Sequence, residues 1–221
     1  MRLLLIDTCG TEGSIALAEG ETVPRIVASE VLPGRSASEG LVPAIRKQME
    51  VAGWRLNQLA AIGVVNGPGS FTGVRVGLSA AKGLSEAGRV PLVAISRLAI
   101  LANSGGQIEG KVCAALDAGR SEFYSGVYES RRKVSEALLT MEEMIAVSEQ
   151  TSVFIVCEER VRESLRALAP LLVSEPKAAD ALPLALERIA ENKFEDVALF
   201  DANYLRRIDQ EIFAKIAAAT P

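Results

Sequence analysis

Histidine is missing from all 221 residues. Its absence removes the commonest metal ligand and the side chain that most often titrates near neutral pH. Ser-His-Asp and Cys-His catalysis are excluded, as are two-histidine zinc or iron sites. Any chemistry would rest on carboxylates, lysines or backbone dipoles. Cysteine is sparse, and Cys9, Cys113 and Cys157 are odd in number, widely spaced and set in apolar surroundings. That is the pattern of buried free thiols in a reducing compartment. Positive charge is short as well: 24 Lys and Arg against 28 Asp and Glu leave a net charge of −4, which argues against autonomous nucleic-acid binding. Long hydrophobic runs are lacking. The longest uncharged stretch, Leu56 to Val74, carries two asparagines, a glutamine, a proline and several glycines, so it does not read as a membrane span. Leu3–Ile6 ends at Asp7, too short for a signal-peptide core. The expectation is a cytoplasmic protein without membrane association.

What is present is an α/β pattern. Leu3–Ile6 is a continuous apolar run suited to a strand buried on both faces. Ser14–Ala18 returns as a second strand after a turn, and Val23–Val31 reads as a third, with Pro24 placing it at an edge. A helix follows Gly34–Glu39, with Leu41, Ile45 and Met49 on one face. Strand 61–65, a glycine-rich loop, a helix over 73–86 and strand 92–95 continue the alternation, which indicates a layered structure with a mixed sheet.

The loop, Asn66-Gly67-Pro68-Gly69-Ser70-Phe71-Thr72-Gly73, stands between strand and helix, where backbone N–H groups and a helix N-terminus can hold an anion. It fails both common phosphate templates. No lysine occurs from position 66 to 81, and Thr72 stands where a dinucleotide fingerprint needs its third glycine. Beyond a candidate linker at 103–106, Val112–Asp117 repeats the form of Leu3–Asp7, an apolar strand ending in aspartate, and Glu122–Tyr128 returns as a strand. Helices are expected over 141–147, 160–169 and 178–192, with a strand over 153–157. Residues 200–207 read as a loop or short strand, and 210–219 as a final amphipathic helix. The repetition suggests two related lobes, each with a hairpin aspartate.

Two such lobes are the plan of the actin-like (RNase H-like) folds. The residues Ile6-Asp7-Thr8, Asn66–Gly77, Leu116-Asp117-Ala118-Gly119-Arg120 and Asn203-Tyr204-Leu205-Arg206, in that order along nearly the whole chain, resemble the TsaB (YeaZ) family. The resemblance implies a non-catalytic scaffold in the complex that forms N6-threonylcarbamoyladenosine at position 37 of tRNA. It implies pairing with the catalytic paralogue TsaD, engagement by the ATPase TsaE, homodimerisation when alone, and contact with tRNA only through the complex. It implies neither cofactor nor metal. TsaD carries a His-x-x-x-His metal site where this chain has Glu39 and Pro43, and proline cannot ligate. A peptidase activity, once attached to the superfamily, has no support in these residues.

Lobes are expected over 1–102 and 111–198, with 199–221 returning to the first. The first lobe is the expected partner-binding one. Its candidate interface comprises Leu41, Ile45 and Met49 on one helix and Val74, Gly77, Leu78, Ala81 and Leu84 on the next, whose apolar surface is broad enough to need cover on two sides. Asp7, Gly67, Gly69, Ser70, Thr72, Gly73 and Asp117 are the candidate nucleotide-binding or vestigial set. Aspartates in turns also bond nearby backbone N–H groups, so capping is the competing reading. The alternative function is an actin-like ATP-binding phosphotransferase built on Asp7, Asp117 and the loop.

Overall fold

The computed structural model describes residues 1–34, 37–106 and 108–205. The apolar run at the start forms β1 (Arg2–Asp7), buried almost throughout. It pairs antiparallel with β2 (Gly13–Glu19), which pairs antiparallel with β3 (Arg25–Leu32). The edge position expected from Pro24 is β3's, and its residues alternate in exposure as a strand with one solvated face does. After α1 (Ala37–Val51), β4 (Ala61–Val65) lies parallel to β1; after α2 (Phe71–Gly88), β5 (Leu92–Ile95) lies parallel to β4. The order is β3-β2-β1-β4-β5.

Past α3 (Arg97–Asn103) the plan recurs. Strands β6 (Lys111–Gly119), β7 (Glu122–Glu129) and β8 (Arg132–Thr140) form an antiparallel meander. Helix α4 (Met141–Ser148) leads to β9 (Val153–Val156), parallel to β6, and α5 (Glu159–Ser164) leads to the two-residue β10 (Leu171–Leu172). The second order, β10-β9-β6-β7-β8, is the first one again. Three antiparallel strands followed by two parallel ones, present twice, make the actin-like, RNase H-like architecture.

Packing draws the lobe boundaries differently from the expected division at 102, 111 and 199. A 3-10 turn at Ala178–Ala181 and α6 (Leu182–Ala190) bury Ala178, Ala181, Leu182, Leu184 and Ala185 in the core of the first sheet, where Phe200 joins them. The return to the first lobe therefore begins at Ala178. Helix α3, which the sequence reading missed, bridges the sheets: Ile100 belongs to the first core, while Leu98, Leu101 and Ala102 pack against Val112, Leu116 and Ile155 of the second. Strand β8 was also missed, because its sequence RKVSEALLT is weakly patterned and it forms an exposed edge. The helix expected over 160–169 stops at Ser164, and Ala169 turns left-handed at φ 47°. The amphipathic segment 210–219 lies outside the described residues.

Candidate functional site

The turn after β1 and the loop after β4 meet. Asp7 is buried, and its Oδ1 accepts the Cys9 N–H at 2.8 Å, which closes the turn. The loop closes over it. Ser70 N–H donates to the Cys9 carbonyl at 2.9 Å, Thr8 Oγ1 donates to the Gly73 carbonyl at 2.6 Å, and Arg97 N–H donates to the Gly67 carbonyl at 2.8 Å. Ser70 caps α2 by accepting from Gly73 N–H, so the helix begins at Phe71, two residues before the expected start. The glycines answer to this contact. A Cβ at Gly69 would stand 2.3 Å from the Cys9 oxygen, at Gly73 2.0 Å from the Thr8 oxygen, and at Gly77 2.4 Å from Thr8 Oγ1. Gly67 has φ 105°, open to glycine alone at little cost. The loop is thus packed on backbone and threonine at Gly69, Gly73 and Gly77, and a cavity of about 420 Å3 lies beside it, lined by Thr8, Thr11, Ser70, Thr72 and Gly73.

The cleft beside this turn is crossed by a charged network that the sequence reading did not find. Arg97, the first residue of α3 and 4% exposed, donates from Nη1 to the Cys9 carbonyl at 3.2 Å and from Nη2 to Glu175 Oε1 at 2.6 Å. Glu175 also accepts Thr11 N–H at 2.9 Å and Thr11 Oγ1–H at 2.6 Å, and Lys177 Nζ lies 3.7 Å away. Burial raises the Asp7 carboxyl above its ordinary range, more than the Arg97 charge lowers it. Burial also acts to raise Glu175, but the Thr11 hydrogen bonds and the Arg97 and Lys177 charges prevail and hold it low. The Cys9 thiol is pushed well up by burial, and that of Cys157 to about 11 for the same cause. Neither is a thiolate near neutral pH, which leaves them unsuited to nucleophilic work.

Asp117 is engaged within the second lobe. Its Oδ1 accepts Gly119 N–H at 2.9 Å, and its other oxygen pairs with Arg160 of α5. Both hairpin aspartates thus close their own turns. Of the remaining loop residues, Thr72 is exposed on α2 and Ser70 is spent as the cap. Among the described residues, no group of three or more His, Cys, Asp or Glu is arranged to hold a metal ion, and no helix is long and apolar enough to cross a membrane.

The expected interface stripe is buried within the chain. Leu41, Ile45, Met49, Val74, Leu78 and Ala81 are all under 10% exposed, and Gly77 is buried against Thr8. Leu84 is half-buried against the same core. The first core already covers these side chains, and the opposite faces of α1 and α2 are the solvent-facing ones. There Val42 and Phe71 are exposed, at 52% and 56%, beside Thr72, Ser79 and Gly83, with Val76 and Ala80 half-covered. A groove of about 580 Å3 runs between the helices, walled by Val42, Phe71, Thr72, Val76 and Ala80. Pro43 sits inside α1 on its exposed face, where it removes the hydrogen bond to the Glu39 carbonyl. Tyr204, part of a motif singled out by its sequence, reaches this face. Its hydroxyl accepts from Arg75 Nε at 3.0 Å, and the Arg75 guanidinium lies 3.5 Å over the Phe71 ring.

Comparison with known proteins agrees with this architecture. The family model described as TsaD: tRNA N6-adenosine threonylcarbamoyltransferase matches residues 22–199. The tRNA threonylcarbamoyladenosine biosynthesis protein TsaB of Escherichia coli strain K12 is 31% identical over 93% of this chain and 95% of its own length. YeaZ from Pseudomonas aeruginosa superposes with a TM-score of 0.70 at 27% identity, covering 92% of this chain and 99% of the other. A crystal structure from the same organism, described as similar to peptidase YEAZ, superposes with a TM-score of 0.74 at 28% identity, over 93% and 99% of the two chains.

Proposed function

The chain belongs to the TsaB family and acts in tRNA threonylcarbamoyladenosine biosynthesis, and we propose that within that process it is the non-catalytic subunit. Its work is to pair with the catalytic paralogue TsaD, to help form the surface that TsaE engages, and to reach tRNA only through that assembly in the cytoplasm. Without TsaD, the same face joins two copies of the chain.

The observation that carries this reading is the outer face of α1 and α2. Thr72, Val76, Ser79, Ala80 and Gly83 make a small-residue surface on α2 along which another helix can approach closely, with Val42 and Phe71 as apolar anchors beside it. The TsaD family model spans both helices, so a paralogue would offer a like pair and the four helices would form a bundle. What supports a scaffold rather than an enzyme is that both hairpin aspartates close turns, the loop glycines are packed on Thr8 and Cys9, and Arg97 is engaged by Glu175. Phosphoryl transfer needs positioned, open charge.

Co-expression with TsaD, followed by sizing and an assay for the modified adenosine, tests the reading. The expected result is a stable heteromeric complex, modification only when both proteins are present, and none from this chain alone. A chain that stays apart from TsaD, or that modifies tRNA unaided, overturns it.

A further inference from the structure

Glu136 lies on the edge strand of the second lobe, far in sequence from the helices just described. One of its oxygens accepts the hydroxyl of Tyr128, which is buried in the core beside α3. The other accepts Asn203 Nδ2–H at 2.8 Å. Asn203 belongs to a strap that leaves the first lobe, passes Lys82 of α2, whose Nζ donates to the Phe200 carbonyl at 2.7 Å, and is pinned at the head of the glycine loop by Asn203 N–H to the Asn66 carbonyl at 2.8 Å. The next residue is Tyr204, which holds Arg75 at 3.0 Å and places its ring 6.4 Å from Phe71. Phe71 and Arg75 both wall the groove between α1 and α2. An exposed arginine stacked on an aromatic ring contributes only modestly, and here the Tyr204 hydroxyl adds a hydrogen bond that holds the guanidinium in place.

We infer that Glu136 is a positioning residue for the partner surface: through Asn203 it sets Tyr204, which holds Arg75 over Phe71 at the mouth of the groove. The second lobe thereby acts on a surface built by the first. This rests on the pairing reading and deepens it, since the groove's occupant is the helix pair of TsaD. A carboxylate that only tied the two lobes together would leave the groove mouth indifferent to its loss.

The experiment is a double-mutant cycle on TsaD affinity with Glu136→Ala, Tyr204→Ala and both together. The expected result is roughly tenfold weakening by either single change and no further loss in the double, because coupled contacts do not add. Asn203→Ala cuts the same link from the strap and is expected to match Glu136→Ala. Unfolding of each isolated variant shows that the fold is kept. Wild-type affinity for Glu136→Ala, or losses that multiply in the double, overturns the inference. The nuclear Overhauser contact between the Phe71 and Tyr204 rings in the isolated chain is a separate readout, expected to vanish in Glu136→Ala. Its persistence overturns the inference even if TsaD does not bind, whereas its loss together with failed wild-type pairing faults the pairing reading alone.

Discussion

Replacing Gly73 by alanine sets a methyl carbon 2.0 Å from the Thr8 carbonyl oxygen, while the same change at Gly83, ten residues along the same helix, meets nothing within 4 Å. Neither glycine has a positive φ, so the two substitutions differ in surroundings alone. At Gly83 the helix gains about 1 kcal/mol from propensity. At Gly73 carbonyl and methyl cannot share the space, and helix and turn must part by more than a side-chain adjustment allows. Parting strains Thr8 Oγ1 to the Gly73 carbonyl and Ser70 N–H to the Cys9 carbonyl, each contributing about 1 kcal/mol. Overpacking adds ~1–3 kcal/mol, so after the propensity gain the net loss is about 2–4 kcal/mol. For a chain of this length each kcal/mol moves Tm by about 2–4 °C. Calorimetry of the isolated variants should therefore show Gly83→Ala melting about 2–4 °C higher and Gly73→Ala roughly 5–15 °C lower. If both move Tm the same way, the loop is not packed on the turn, and the account of its glycines fails.

Two further predictions concern the cleft. Glu175→Ala leaves Arg97 buried without its ion-pair partner, which costs about 3 kcal/mol, the low end for broken buried pairs because Asp7 remains nearby; Arg97→Met with Glu175→Leu recovers most of the loss in thermal unfolding, and a single variant melting like the wild type refutes the pair's role. The two carboxylates oppose each other in pH. Glu175, held low, contributes stability present above its unfolded pKa of about 4.3 and lost as pH falls through the folded value, whereas Asp7, held high, favours folding below about 3.9 and loses that contribution as pH rises through its folded value. Asp7→Asn keeps an acceptor for Cys9 N–H, so its Tm relative to wild type should climb as pH is raised from 4 to 7; a flat or falling difference contradicts the stated balance of burial over the Arg97 charge.

Much of the fold was legible because its strands announce themselves. Strands 61–65 and 92–95 were read to the residue, since buried parallel strands are continuous apolar runs bounded by turns. The repeated strand-aspartate-turn gave the second lobe. What escaped was set by tertiary context. Strand β8 is an edge whose alternation is diluted by charge, and α3 is a seven-residue helix opened by an arginine. Arg97 and Glu175 are 78 residues apart, and nothing local in the sequence pairs them. The interface stripe shows a plainer limit. The periodicity of Leu41, Ile45 and Met49 identifies a buried face but not what buries it, and their own sheet already does. Small residues on the second helix are legible in the sequence, but which of them face solvent is not: Gly77 and Ala81 are buried, Ala80 is half-covered, and Ser79 and Gly83 are exposed.

The outer face of α1 and α2 is therefore the place to strike. Titration calorimetry of TsaD against wild type, Val42→Glu and Ala80→Glu is the direct measurement, with unfolding of each isolated variant as the check on fold. Both positions lie on the groove wall and outside the buried stripe. The account predicts unchanged folding and affinity weakened by at least about 30-fold, the scale of a hot-spot loss. Wild-type affinity in both variants would contradict it.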